Sequence, residues 1–478
     1  MPEAKLWHQG CKEEIDSLIE NNTWRLAKLP AGATLIRGRW VFKIKLDVDG
    51  KPARYKARWV VRGFTQKAGI DYDETYAAVV KPLSLKVMLA LAAHYGYVCR
   101  QYDIITAFLN AVIDGHQVYV ELPHGFEDYV LKSAGMAAAA SSQQLVCFLL
   151  RALYGLKQSP MLWYREFERF LRSLGFMPLL ADTCLFRHDN GCVIIIYVDD
   201  VLAMASTEAI IEGAVTGPLR EAFKLRELGD VSFYLGCRVV RNLKERKIWL
   251  VQDAYLEQMV TKYLDGTSHG TRETPMSVAT YNALAPAPAG YEASANLKTR
   301  YQSLVGSLMW PALITRPDIM FCTSTLAQYL VNPTKDHLNA ALDVLRYLNG
   351  TVKRGICLTG GIDADLDLRC FVDAAFADNR VDRKSSSGYV VKLAGGPVSW
   401  KSGKQPIVTL SSTEAEYVAL TIAAKEAIYV RKLLAELHYP LSYKPVEIFE
   451  DNQPAINLTN QSDINLSLIH ISEPTRPY

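Results

Sequence analysis

Between residues 37 and 63 (RGRWVFKIKLDVDGKPARYKARWVVRG) apolar and polar positions alternate with a period of two, the pattern of a half-buried strand. Trp40, Phe42, Ile44 and Leu46 fall on one face, Lys43 and Lys45 on the other. Beyond a DVDG turn, Arg54, Lys56 and Arg58 lie opposite Tyr55, Ala57 and Trp59. The pattern predicts a hairpin with one apolar and one cationic side. A different run, CVIIIYVDDVLAMA (192–205), predicts two buried strands around a turn, and that turn carries Asp199 and Asp200. Helices are predicted at Cys11–Glu20, around 297–330 and at 334–349. Short strands are predicted before Asp103, near Leu368 and over Val446–Phe449.

The stretches between these patterns suggest boundaries. AGMAAAASSQQ (134–144) reads as a surface insertion, and residues 266–290, rich in Thr, Ala, Pro and Gly, read as a linker. A length of 478 residues accommodates several domains, and 49% apolar content suffices for a core. No apolar run approaches the length of a bilayer span, and no secretion signal opens the chain. Nine scattered cysteines without CxxC pairs argue for a reducing compartment and against a structural zinc site.

Net charge is only +3, yet Arg37–Arg62 holds nine Lys or Arg against two Asp. One sign repeated on one strand face suits contact with phosphates; a plainly solvated face is the alternative. Acids at a strand end need a reason, because an unpaired buried carboxylate is heavily penalised. A solvated turn is one reason. A metal centre drawing on Asp199, Asp200 and Asp103 is the other, since two Mg²⁺ ions need hard oxygen ligands from separate strands.

A series of segments, in order along nearly the whole chain, resembles the reverse transcriptase–RNase H part of Ty1/copia-type retrotransposon Pol polyproteins. TWRLAKLP, RWVFKIKLDVDG and RYKARWVVRGFTQ resemble the fingers of that family. QYDIITAFLN resembles its first catalytic aspartate motif, LYGLKQSPMLWY (153–164) its template- and nucleotide-positioning motif, and YVDD its second catalytic motif. LGDVSFYLGCRVVR (228–241) is similar to its primer-contacting stretch. YQSLVGSLMWPALITRPDI (301–319) and HLNAALDVLRYLNGT (337–351) resemble its connection. FVDAAFAD, SGYVVKLAGGPVSWKSGKQPIVTLSSTEAEYVAL and EDNQPAI resemble its RNase H.

The resemblance implies an α+β chain. Fingers, palm and a thumb-like end would occupy 1–265, a linker and helical connection 266–365, and an RNase H-like mixed-sheet α/β domain 366–460. By resemblance, Asp103 and Asp199 hold two Mg²⁺ ions, with Mn²⁺ a substitute, and Asp200 supports them. Lys56, Arg58, Phe108, Tyr154 and Gly155 surround the incoming dNTP, while Lys43, Lys45 and Arg54 contact nucleic acid. Asp373, Glu416 and Asp451 form the metal site of the RNase H. The partners implied are an RNA or DNA template-primer, an RNA–DNA hybrid, and the gag, protease and integrase parts of a polyprotein in cytoplasmic virus-like particles or the nucleus. The tail 461–478 departs from the family, because neither Asp463 nor Glu473 has the surroundings of the expected fourth acid. It reads as non-native sequence that leaves the RNase H incomplete. A catalytically inactive relic that only binds nucleic acid and an unrelated metal-dependent phosphohydrolase are the competing readings.

Overall fold

The computed structural model describes residues 3–46, 52–135, 145–264, 270–361, 366–443 and 445–460. The DVDG turn, residues 136–144 of the Ala/Ser tract, the junction at 265–269 and the tail from 461 onward, with Asp463 and Glu473, lie outside them. Helices and sheets are mixed throughout, and two compact units form, each from separate stretches of chain. None of the described helices is long and apolar enough to cross a membrane.

The first unit comprises Met1–Val80, Arg100–Pro178 and Thr183–Gly229. Its period-two segment forms the antiparallel hairpin Gly38–Leu46/Pro52–Val61, with Lys43 opposite Lys56 and Trp40 opposite Trp59. The N-terminal helix spans Glu3–Glu20, longer than predicted. Tertiary contact extends it: Trp7 packs edge-on against Phe42 and Tyr55, with ring centroids 5.0 and 4.8 Å apart. Gly10 lets the helix approach closely, because a Cβ there would lie 2.5 Å from the Tyr55 carbonyl oxygen. Trp59 and Val61 at the hairpin base enter a core with Leu18, Ile36, Val120, Leu149 and Leu153.

A six-stranded sheet follows the order 225–230, 98–104, 200–205, 193–197, 185–187, 177–178. Val193–Ile196 and Val201–Ala205 are all buried, as the continuous apolar run predicts. The Asp103 strand (Val98–Ile104) lies directly beside Asp200–Ala205.

The second unit comprises Lys81–Cys99, Leu179–Asp182 and Asp230–Tyr478. One of its sheets has the order 396–404, 386–393, 368–375, 447–449, antiparallel except for a final parallel pair. The helix Ser412–Glu436 packs on this sheet, and the serine and glutamate of its capping-box pattern set its start: Ser411 Oγ accepts the Glu414 N–H at 3.1 Å. The predicted helix at 297–330 is broken into Ala295–Ile314 and Met320–Ala327. Pro317 disfavours helical geometry at Arg316, whose buried guanidinium instead binds Asp318 and Thr351.

Candidate active site

Antiparallel pairing runs from Val193↔Met204 to Tyr197↔Asp200, leaving Val198 and Asp199 as a two-residue turn. Val198 has φ 57°, a left-handed conformation that strains a β-branched residue. Its carbonyl accepts the Trp163 indole N–H at 2.7 Å, which fixes the turn from behind. The Ile104 N–H donates to the Asp199 carbonyl at 2.9 Å, so Asp103 and Asp199 are held on adjoining segments.

Burial pushes the Asp199 carboxyl up, and Asp103 adds to it against the pull of Arg58 and Lys56. Asp200 rises to about 6, by burial first and then by Asp199 and Asp103. Carboxylates crowded in this way gain most from a cation.

Asp103 and Asp199 line a cavity of about 220 Å³ whose other walls include Arg54, Lys56, Arg58 and Tyr154. The Arg58 guanidinium lies over the Tyr154 ring, 4.8 Å from its centroid, and its buried Nε has no hydrogen-bond partner among the described residues. Gly155 (φ 94°) has a backbone role: a Cβ would meet the Val61 carbonyl oxygen at 2.0 Å, while the neighbouring Tyr154 carbonyl accepts the Val61 N–H at 2.8 Å. That crossing seats Tyr154 against the hairpin. Phe108, in the turn Ala107–Asn110, meets the Tyr154 ring edge to face but does not line the cavity. Lys43 stays exposed on the hairpin and Asp200 lies beside the cavity, neither lining it. The backbone of Lys45 pairs with Arg54.

Three contributors were not foreseen from the sequence. Glu14 accepts the Trp59 N–H at 3.2 Å and lines the cavity, with burial pushing its carboxyl up. Glu13 pairs with Arg54 at 3.1 Å, and Arg226 stands 3.6 Å from Asp103. The doubled acid in the N-terminal helix, complementary to the basic hairpin, was the available signal; nothing marked Arg226.

The second unit holds a separate acidic cluster. Asp373, Glu416 and Asp451 each offer an oxygen within 4.8 Å of the others. The last parallel pair, Phe371↔Phe449, puts Asp373 and Asp451 two residues further along neighbouring chains. Glu416 comes from the helix and is only 6% exposed. Burial lifts its carboxyl to about 7, with Glu450, Asp373 and Asp451 adding to the rise. An all-oxygen donor set suits a hard divalent ion.

Acids on adjoining segments and basic side chains line one cavity, the charge arrangement that phosphoryl transfer requires. The chain belongs to the reverse transcriptase (RNA-dependent DNA polymerase) family, whose pattern matches residues 21–278. It is 36% identical to the retrovirus-related Pol polyprotein from transposon TNT 1-94 of Nicotiana tabacum, over 98% of this chain and 34% of that protein. It is 35% identical to the counterpart from transposon RE2 of Arabidopsis thaliana, over 98% of this chain and 31% of that protein. A Ty1 Gag-Pol polyprotein of Saccharomyces cerevisiae is 22% identical over 96% of this chain and 26% of its own length. The chain thus spans about a third of the length of its plant relatives.

Proposed function

We propose that the first unit carries the polymerising site of a retrotransposon RNA-directed DNA polymerase, joining a primer 3′-hydroxyl to an incoming dNTP. One observation supports this most: a single cavity is lined by Asp103 and Asp199 together with Lys56 and Arg58. In this reading the six-stranded sheet is the palm and the basic hairpin belongs to the fingers. Asp103 and Asp199 would hold the divalent ions, with Asp200 supporting them; bound there, Mg²⁺ or Mn²⁺ would supply charge neutralisation and activation of the attacking oxygen. Lys56 and Arg58 bind the triphosphate, and Tyr154 keeps Arg58 in place. Lys43 and Arg54 contact template-primer from the hairpin. Primer extension on RNA and DNA templates with Mg²⁺ tests this reading; binding without extension would instead favour an inactive relic.

The second unit supports a companion reading, hydrolysis of the RNA strand of an RNA–DNA hybrid, through the convergence of Asp373, Glu416 and Asp451. In the intact element, gag, protease and integrase parts would accompany both units in virus-like particles.

A further inference from the structure

We propose that Glu450 is a fourth metal-ligating carboxylate of the second unit, holding a divalent cation jointly with Glu416. The proposal rests on reading Asp373, Glu416 and Asp451 as a metal centre, and it names a ligand within the described chain where the sequence offered none.

The sheet register gives Glu450 its place. Phe449 pairs with Phe371, so Glu450 continues the chain beside Val372, one residue before Asp451. Val372 is on the buried side of its strand and Asp373 on the exposed side. The helix bearing Glu416 packs on this sheet, and Glu450 exerts the strongest like-charge effect on Glu416, ahead of Asp373 and Asp451. Glu416 Oε2 is buried without a hydrogen-bond partner among the described residues, in a side chain 94% removed from solvent by its 6% exposure. Its carboxylate also takes the Ala374 N–H. Glu450 repeats the arrangement: Oε1 accepts the Asn452 N–H at 3.1 Å, while buried Oε2 has no partner among the described residues.

Two neighbouring carboxylates, each committing one oxygen to the backbone and keeping another donor-free, are costly unless something positive joins them. A proton shared between them could do so. A cation does so better here, because two further oxygens, from Asp373 and Asp451, already converge on Glu416. Ligands for two ions then exist: one ion on the Asp373, Glu416 and Asp451 set, and one bridging Glu416 to Glu450.

Mn²⁺ titration of the full chain, carrying Asp103→Asn and Asp199→Asn to silence the other centre, reads this out as bound ions counted by electron paramagnetic resonance. Two ions are expected in that background. Glu450→Gln should lose one, or weaken it at least about tenfold. Without metal the Glu450→Gln protein should melt at the same temperature or higher, because a like charge has been removed. Glu450→Asp should fold and bind the second ion more weakly. Two ions bound undiminished in Glu450→Gln, or a lower metal-free melting temperature, would overturn the role of Glu450 and leave the three-carboxylate centre standing. A background chain that binds no Mn²⁺ and does not cleave an RNA–DNA hybrid would overturn the centre itself.

Discussion

Phe108 meets Tyr154 edge to face, their ring centroids 5.2 Å apart and their planes at 68°. Tyr154 in turn supports Arg58. Phe108 does not itself line the cavity proposed for the dNTP, and a ring set against the sugar, the role that the resemblance implies for it, would clash with a 2′-hydroxyl. Phe108→Ala should admit ribonucleotides, and the ratio of rNTP to dNTP incorporation measures this. Were Phe108 only a core aromatic, its loss would cost stability, about 3–5 kcal/mol for a fully buried ring, and leave that ratio unchanged.

Asp199→Asn keeps the size of the side chain and removes its charge. We expect loss of at least about two orders of magnitude in Mg²⁺-dependent extension, since ion ligation stabilises the transition state by several kcal/mol. Asp103→Asn should behave alike. Full activity in either protein would refute the assignment of the first unit's site.

Arg58→Ala separates nucleotide binding from duplex binding. Its guanidinium lines the same cavity as Asp103 and Asp199, whereas Lys43 stays exposed on the hairpin. Steady-state kinetics should show the KM for dNTP rising more than primer–template affinity falls. A change confined to duplex affinity would make Arg58 a plain backbone contact.

Lys86 tests how burial governs stability in the second unit. It is 3% exposed, lies 3.6 Å from the Trp400 ring centroid and donates to the Leu313 carbonyl at 3.1 Å. Those contacts favour the ammonium, but burial outweighs them and lowers its pKa from 10.5 to about 7. Between these values the unfolded chain binds more protons than the native one, so this residue makes stability rise with pH across that window. Below about 7 both forms are charged and the penalty is complete. Lys86→Met should therefore melt higher than the parent at pH 7, with the difference shrinking towards pH 10. A difference independent of pH would show that the ammonium is not the cause.

Legibility from the sequence followed local pattern. The cationic hairpin and the buried strands around Asp199 were readable because a period of two and an apolar run are local signals, and the capping of the Glu416 helix was readable from Ser411 and Glu414. Wherever a partner distant in sequence decides the outcome, the pattern fell short. Trp7 lengthens the first helix through Phe42 and Tyr55, and Glu14 enters the cavity by capping Trp59, 45 residues on. The break at Arg316 depends on both a local proline and the distant Thr351. Asp373, Glu416 and Asp451 were grouped beforehand through the family resemblance alone; a parallel strand pair and a packed helix bring them together, and spacing along the chain carries no trace of that.

The left-handed Val198 sets stability against turnover at one position. Such backbone strain costs about 1–3 kcal/mol, and glycine would relieve it against an entropic loss of about 0.5–1 kcal/mol. A selection for heat resistance alone would therefore collect Val198→Gly. That change would also loosen the loop that aims Asp199, because the Trp163 bond to the carbonyl would be left restraining a freer backbone. Heat-resistant variants chosen without an activity screen would then be hardier and slower, and pairing the two screens would keep valine in place.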